Sequence, residues 1–128
     1  MRIVLYGRIP SKKNSRITIY KYGKIINIPS SQYKKWHTEQ TEYLKIVGPK
    51  KTYTFCSLSM TFFFPDKRRT DTINKEESIL DLFVDNGIIK DDDWTCVNTR
   101  HIYSGGVDKE NPRVEIDIVD LATEQIPN

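Results

Sequence analysis

The sequence predicts an α+β protein, a two-layer sandwich in which two helices pack on one face of a mixed or antiparallel sheet. Three observations lead to this prediction. Alternating, strand-like segments occupy both ends of the chain, two segments with helical periodicity lie in the middle, and one long strand separates the helices. Because 128 residues suffice for one hydrophobic core, residues 1–128 are expected to form a single domain.

The N-terminal segment is predicted to contain three short strands. Residues 2–9 alternate as a strand does, and Pro10 ends that strand. The next two strands, Ile17–Tyr22 and Lys24–Ile28, form a hairpin that turns at Gly23.

The central segment is predicted to hold two helices and the strand between them. The first helix is capped by Ser30 or Ser31 and runs to about Val47, where a glycine-proline pair ends it. Tyr53–Phe64 is a strand rich in aromatic and β-branched residues. The second helix covers about Thr72 to Asp85, and the asparagine-glycine pair that follows supplies a left-handed cap.

The C-terminal segment is predicted to end the sheet with a strand pair. Thr95–Tyr103 and Arg113–Val119 have strand composition, and the glycines at 105 and 106 lie between them. This completes an order of elements written ββ(β)αβαββ.

Composition excludes several classes of protein. No apolar run approaches the ~20 residues that span a membrane, and the N-terminus lacks the architecture of a signal peptide. Cys56 and Cys96 lie far apart without partner cysteines at zinc spacing, so two buried free thiols in a reducing cytosol are expected.

Charge is divided unequally along the chain. Residues 1–70 contain 15 Lys and Arg against 3 Asp and Glu, a balance of +12, whereas residues 71–128 contain 5 against 14, a balance of −9; together these give the net +3. The basic part can neutralise phosphates, but the acidic part repels a polyanion unless cations lie between them. This combination favours a metal-dependent nuclease over a protein that only coats DNA.

The second helix is predicted to carry a stripe of carboxylates. With about 100° of turn per residue, one stripe about 100° wide contains Asn74, Glu77, Ser78, Asp81 and Asp85. The opposite, apolar side contains Ile73, Ile79, Leu80, Phe83 and Val84. Asp71 lies at the leading edge, where a carboxylate at or beside the N-cap is favoured by the helix dipole and need have no other role.

Two readings of this stripe remain open. Glu77, Asp81 and Asp85 can simply form a solvated helix face. Against that reading, none of the three has a Lys or Arg four residues later, and a second acidic cluster, residues 91–93, follows within one short loop. Like charges this close are unfavourable unless a cation joins them, and oxygen-only ligands select Mg²⁺ or Mn²⁺ over zinc.

Two blocks of sequence resemble a known family. IPSKKNSR at 9–16, IPSSQY at 28–33 and KKW at 34–36 resemble the opening of the RusA-type Holliday junction resolvases. The second block, RRTDTINKEESILDLFVDNGIIKDDDW at 68–94, resembles that family's diagnostic segment of arginines, Asp, Asn, a helix, Gly and Asp-Asp. The resemblance covers most of the chain. It implies a RusA-like fold and a homodimer that cuts four-way DNA junctions symmetrically in the cytosol of a bacterial host, encoded by a phage or prophage.

The resemblance also implies roles for individual residues. Asp71 matches the first catalytic aspartate, and Asp91 and Asp92 match the downstream pair, of which the second is essential. Two positions depart from the usual pattern Asp-x-Asp-Asn-x-x-Lys, because Ile73 replaces the second Asp and Glu77 replaces the Lys. A phage subgroup with the pattern Asp-x-x-Asn-x-x-Glu-Ser makes this a relocation of the ligand.

The predicted site follows from these matches. Asp71, Glu77 and Asp92 are expected to be catalytic and to hold one or two Mg²⁺ ions (or Mn²⁺), with Asp81 or Asp91 as further ligands or supporting groups. Two alternatives to a metal-binding role are open for Glu77: it is an exposed helix residue, or it forms an ion pair with the basic triplet 67–69.

DNA-backbone contacts are expected from two basic segments. The contributing residues are Lys12, Lys13, Asn14, Arg16, Lys67, Arg68 and Arg69. The alternative for the first segment is a merely soluble surface. Lys75 is disfavoured as a replacement for the family's lysine because it points about 100° away from Asn74.

Aromatic and histidine residues are expected to be structural. Trp36 and Tyr43 are predicted to lie in the core, and Trp94 is expected to pack rather than to border the site. His37 and His101 are isolated in the sequence, and neither is expected to be a metal ligand.

The sequence thus predicts a metal-dependent, structure-selective endodeoxyribonuclease. Two rivals remain: a non-catalytic branched-DNA binding protein that has lost a ligand, and a phosphoryl-transfer enzyme acting on nucleotides, for which the chain lacks a glycine-rich phosphate loop.

Overall fold

A computed structural model describes residues 1–11, 16–29 and 31–122, with the backbone alone for 16–21 and 26–29. The elements are β1 Arg2–Tyr6, β2 Arg16–Lys21, β3 Lys24–Pro29, α1 Ser31–Val47, β4 Cys56–Phe64, α2 Thr72–Asp85, β5 Val97–Val107 and β6 Arg113–Asp120. The predicted α+β class, with two helices and a mixed sheet, is confirmed. Ser30, one of the two predicted caps of α1, lies outside the described residues.

Four strands form one mixed sheet in the order β1-β6-β4-β5, and β2 pairs with β3 in a separate hairpin. Strand β4 is antiparallel to β6 and parallel to β5. The predicted pairing of the last two strands with each other is therefore wrong. Strand β4 alternates buried and half-buried residues along its length and takes the central place, while Gly105 and Gly106 lie inside β5.

Helix α2 forms the crossover between the parallel strands β4 and β5, because parallel neighbours need a long connection. Its predicted bounds are confirmed, and Gly87 with φ +68° follows its C-terminus. The hairpin turn is also where it was expected: Tyr22 and Gly23 both have positive φ, 53° and 71°, as the favoured two-residue hairpin turns require.

One face of the sheet is buried against the helices, which is consistent with a two-layer sandwich. Leu58 of β4 and Ile116 of β6 join Trp36 of α1 and Phe83 of α2 in one core cluster. Cys56 and Cys96 are free and buried, and burial raises the pKa of the Cys56 thiol to about 12. Tyr43 packs against this core from its edge. Within the described part of the chain, no helix is long and apolar enough to cross a bilayer.

Helix α2 is rotated relative to the helical-wheel prediction. Ile73, expected in the core, is 63% exposed, whereas Ser78, expected on the polar stripe, is fully buried. The cause is the segment after β1, which covers a second side of the helix. Ser78 Oγ donates to the Pro10 carbonyl over 2.6 Å, so this side of α2 must face that segment.

The expected packing of Trp94 is wrong as well. Its side chain is 78% exposed because it belongs to a tight loop whose internal bonds hold Asp93 and Thr95 instead. An indole therefore projects into solvent directly beside the acidic cluster.

Candidate metal and nucleic-acid site

Asp71 is the N-cap of α2. Its Oδ1 accepts from the backbone N–H groups of Ile73 (3.0 Å) and Asn74 (3.3 Å), and its Oδ2 accepts from Asn74 Nδ2 at 2.9 Å. A carboxylate offers about four lone-pair sites, so capping leaves room for a further ligand. The Asn74 side chain thereby orients the Asp71 carboxylate.

Glu77 lies on the exposed side of α2, one turn after Ile73. Residues four apart on a helix have Cβ atoms roughly 5–6 Å from each other. The Glu77 carboxylate can therefore reach the surface that Ile73 occupies, as a relocated ligand would need. In the described part of the chain, Glu77 makes no ion pair or hydrogen bond, which leaves it exposed and unpaired.

In the acidic loop before β5 all three aspartates are exposed, and two of their carboxylates bond within the loop. Asp93 accepts from the backbone N–H and the hydroxyl of Thr95, and these bonds lower the pKa of the Asp93 carboxyl. Asp91 accepts from the Asp92 N–H at 2.8 Å. Among the described residues nothing bonds to the Asp92 carboxylate, so this side chain can bind a cation or a ligand.

Arg100 of β5 joins this loop to α2. Its guanidinium donates to the Asp92 carbonyl at 3.1 Å and lies 3.4 Å from Glu76 Oε1. Glu76 is only 7% exposed; burial raises the pKa of its carboxyl, and Arg100 opposes that shift. Arg100 consequently joins the Asp92 segment to the second turn of α2 at Glu76, which lies about 7.5 Å along the helix axis from Asp71.

The predicted ligands do not all come together. Among the described side chains, the one group of three whose ligand atoms lie within 4.8 Å of one another is His37, Asp81 and Asp85. Asp71, Glu77 and Asp92 do not form such a group. His37, isolated in the sequence, lies 2.8 Å from Asp85, and Asp81 accepts from the Tyr33 hydroxyl at 2.6 Å. Asp81 thus belongs to the contact between the helices.

The donor chemistry of the exposed carboxylates fits magnesium. Mg²⁺ is usually held by one or two carboxylates while it keeps several waters and binds substrate phosphates. Asp71, Glu77 and Asp92 offer oxygen donors only and are exposed, so a close-packed triad is not required.

A basic hollow adjoins the start of α2. Arg68 and Arg69 line a cavity of about 230 Å³ together with Arg8, Lys75 and Arg113. The exposed Lys67 precedes this pair in the chain. Of the other predicted DNA contacts, Lys12, Lys13 and Asn14 lie outside the described residues, and Arg16 begins β2.

Sequence reasoning missed several residues of this region. Arg8 and Arg113 meet only because β1 pairs with β6, with Tyr6 opposite Arg113, and no local pattern announces that pairing. Lys75 faces the hollow because α2 is rotated. Arg100 and the exposed Trp94 carried a weak signal, since each is close in sequence to the acidic loop.

Comparison with known proteins identified no family and no curated relative. The chain matches no protein-family model, and no curated protein gives a significant match.

Proposed function

We propose that this chain is a Mg²⁺-dependent endodeoxyribonuclease that resolves Holliday junctions and related branched DNA by paired symmetric nicks. The observation that carries the proposal is the adjacency of two surfaces on α2. The lining of the basic hollow includes Thr70, directly before the Asp71 cap, and Glu77 continues the exposed carboxylates on the helix beyond the turn that Arg100 joins to Asp92. Cations that attract a phosphate chain next to carboxylates that attract divalent metal are what hydrolysis of a phosphodiester requires.

The proposal gives the acidic and the basic residues different roles. Asp71, Glu77 and Asp92 would hold the metal, with Asp91 in support; Asp81 acts instead through the helix contact. Bound Mg²⁺ would neutralise charge on the scissile phosphate and lower the pKa of a bound water. Arg68 and the other basic residues position the backbone without reading base sequence.

The proposed assembly is a homodimer in the cytosol of a bacterial host. A four-way junction offers two equivalent strands, and a twofold-symmetric pair of subunits would present one site to each. The resemblance of residues 68–94 to the RusA-type resolvases supports this assembly.

One observation favours a second candidate, a branched-DNA binding protein without catalysis. Ile73 stands where the resembled family has an aspartate, and the Asp71 carboxylate already accepts three hydrogen bonds at the N-cap. A chain that lost a ligand would keep the basic hollow and its affinity for DNA.

Cleavage of a synthetic mobile four-way junction, with and without Mg²⁺, tests the proposal. We expect Mg²⁺-dependent nicks at symmetric positions on two strands, mapped on a denaturing gel. Asp92→Asn should abolish cleavage and retain junction binding in a gel shift. Binding without nicks in Mg²⁺ or Mn²⁺ would establish the second candidate, and normal cleavage by Asp92→Asn would show that the site is misplaced.

A further inference from the structure

The hollow beside α2 continues past Lys75 as a cleft. The first cavity, about 230 Å³, is lined by Arg8, Arg69, Lys75 and a floor of β4 residues that includes Phe63. A second, of about 260 Å³, shares Arg8 and Lys75 and extends towards Trp36 of α1. Lys75 therefore stands where the two cavities meet.

Positive charge dominates the lining of the first cavity, with Arg8, Arg68, Arg69, Lys75 and Arg113 against the single carboxylate of Asp66. Asp66 pairs with both Arg8 (3.0 Å) and Arg68 (3.1 Å). Arg113 is satisfied by carboxylates of its own strand and the preceding loop and lies over the Phe63 ring. Within the described residues, no carboxylate lies at ion-pair distance from Arg69 or Lys75, so the cleft has an excess of two unpaired cations.

Lys75 is half-buried. Its Nζ donates to the Ile9 carbonyl at 2.6 Å, which leaves two of its three N–H donors for another acceptor. Burial, and then the nearby charge of Arg8, lower the pKa of the Lys75 amine. Two cations in a partly buried cleft repel each other, and an anion placed between them removes that repulsion.

We propose that this cleft binds a backbone phosphate of a DNA strand, with Lys75 and Arg69 as its direct contacts. A backbone phosphate is the anion of choice because Thr70, in the lining of the first cavity, directly precedes Asp71, so a DNA strand that reaches the exposed carboxylates would pass the cleft. The first cavity, which alone is lined by both Arg69 and Lys75, has about 230 Å³ and is smaller than the roughly 300–1,000 Å³ of sites that enclose a whole small molecule. A group on a longer chain therefore fits better than a free nucleotide. The choice of a DNA phosphate as the ligand rests on the proposed function, whereas the two unpaired cations of the lining favour an anion independently of it.

The salt dependence of DNA binding, measured without divalent metal, tests this assignment. Each phosphate contact that is lost should lower the slope of log K against log salt by about 1, with equal effect on junction and duplex DNA. We expect this from Lys75→Met, which keeps the apolar stem, and from Arg69→Ala, which alters an exposed side chain. Lys45→Ala is the matched control, because Lys45 pairs with Glu42 at the far end of α1. Urea unfolding verifies that each variant folds.

Two further arms separate the sources of phosphate. Inorganic phosphate, compared with chloride at equal ionic strength, should raise the melting temperature of the wild-type chain more than that of Lys75→Met. A deoxynucleoside monophosphate should compete with DNA no better than inorganic phosphate does.

The outcomes are distinct. Wild-type salt slopes for both folded variants would overturn the assignment and leave the proposed nuclease standing. Strong competition by the free nucleotide would overturn DNA as the source. Failure of the wild-type chain to bind DNA, combined with stabilisation by phosphate that depends on Lys75, would overturn the proposed function and support the cleft.

Discussion

Arg100 holds two parts of the candidate site with one side chain. It offers a partner to the buried Glu76 carboxylate and a donor to the Asp92 carbonyl. A buried carboxylate without a partner is destabilising, since burial removes its hydration. The Glu76–Arg100 contact therefore stabilises the fold and at the same time fixes the Asp92 loop against α2.

We predict that Arg100→Ala destabilises the protein by about 1–3 kcal/mol at about pH 7, and by less at about pH 4.5. The pKa of Glu76 is raised in the folded state, and loss of Arg100 raises it further. A raised carboxyl pKa favours the folded state below the unfolded-state value, and that benefit is lost as pH rises through the folded-state value. The loss of stability caused by Arg100→Ala should therefore be smaller at acidic pH.

Urea unfolding at the two pH values measures this effect. Glu76→Gln in the Arg100→Ala background should recover part of the lost stability at neutral pH, because the amide carries no charge to desolvate. An equal deficit at both pH values would contradict the account.

Trp94 is the exposed aromatic residue nearest the acidic loop. On the proposed function, its indole can stack on an unpaired base of branched DNA, which is worth roughly 1–3 kcal/mol per base. We predict that Trp94→Ala lowers junction affinity by about 5- to 150-fold and changes stability by less than about 0.5 kcal/mol.

Fluorescence anisotropy with labelled junction DNA checks this prediction. Ile46→Ala is the control, because Ile46 is as exposed, at 83%, and lies at the end of α1. Unchanged affinity for Trp94→Ala would remove the indole from the interface.

At the scale of elements, a seam of polar contacts joins the two helices. Residues of α1 four apart face α2: Tyr33 bonds to Asp81 and His37 to Asp85, and Thr41 accepts from Asn86 at 3.2 Å. The acidic stripe of α2 thus has a structural use along its second half. In its first half, Glu77 remains exposed for a ligand, whereas Ser78 is buried.

We predict that Tyr33→Phe destabilises the protein by about 1.5–3 kcal/mol, the usual range for a hydrogen bond to a charged group. The change removes only the hydroxyl that donates to Asp81, while the ring remains in the core. Tyr43→Phe on the same helix is the matched control, because the half-buried Tyr43 hydroxyl has no bond among the described residues. Equal losses in urea unfolding would show that the seam contributes nothing specific.

Local patterns predicted most of these elements, but not how they meet. The bounds of α2 and the turn at Gly23 follow from caps and glycines that act within a few residues. The central place of β4 and the rotation of α2 depend on long-range packing, and the latter is set by the contact of Ser78 with Pro10. For the same reason the N-cap position of Asp71 was predicted from the sequence, whereas the positions of Arg8 and Lys75 in the hollow were not.

At the scale of the whole molecule, the fold brings the basic and acidic parts of the sequence together on one helix. Basic residues from the segment after β1, from the segment after β4 and from the start of β6 meet at the start of α2. The acidic residues continue from that point along the helix. Basic and acidic residues that are separated along the sequence therefore lie side by side on the folded chain. A polyanion and a divalent cation can bind next to each other on such a surface.

The proposed twofold assembly gives the last prediction. A dimer that offers one metal site to each of two strands should fail on one strand when one subunit carries Asp92→Asn. We therefore expect mixed dimers of wild-type and Asp92→Asn chains to convert a cruciform plasmid to nicked circles, whereas wild-type dimers produce linear DNA by cutting both strands. Light scattering should give twice the 15.0 kDa chain mass for both assemblies. Single chains in solution and on DNA, or linear product from purified mixed dimers, would contradict one site per strand.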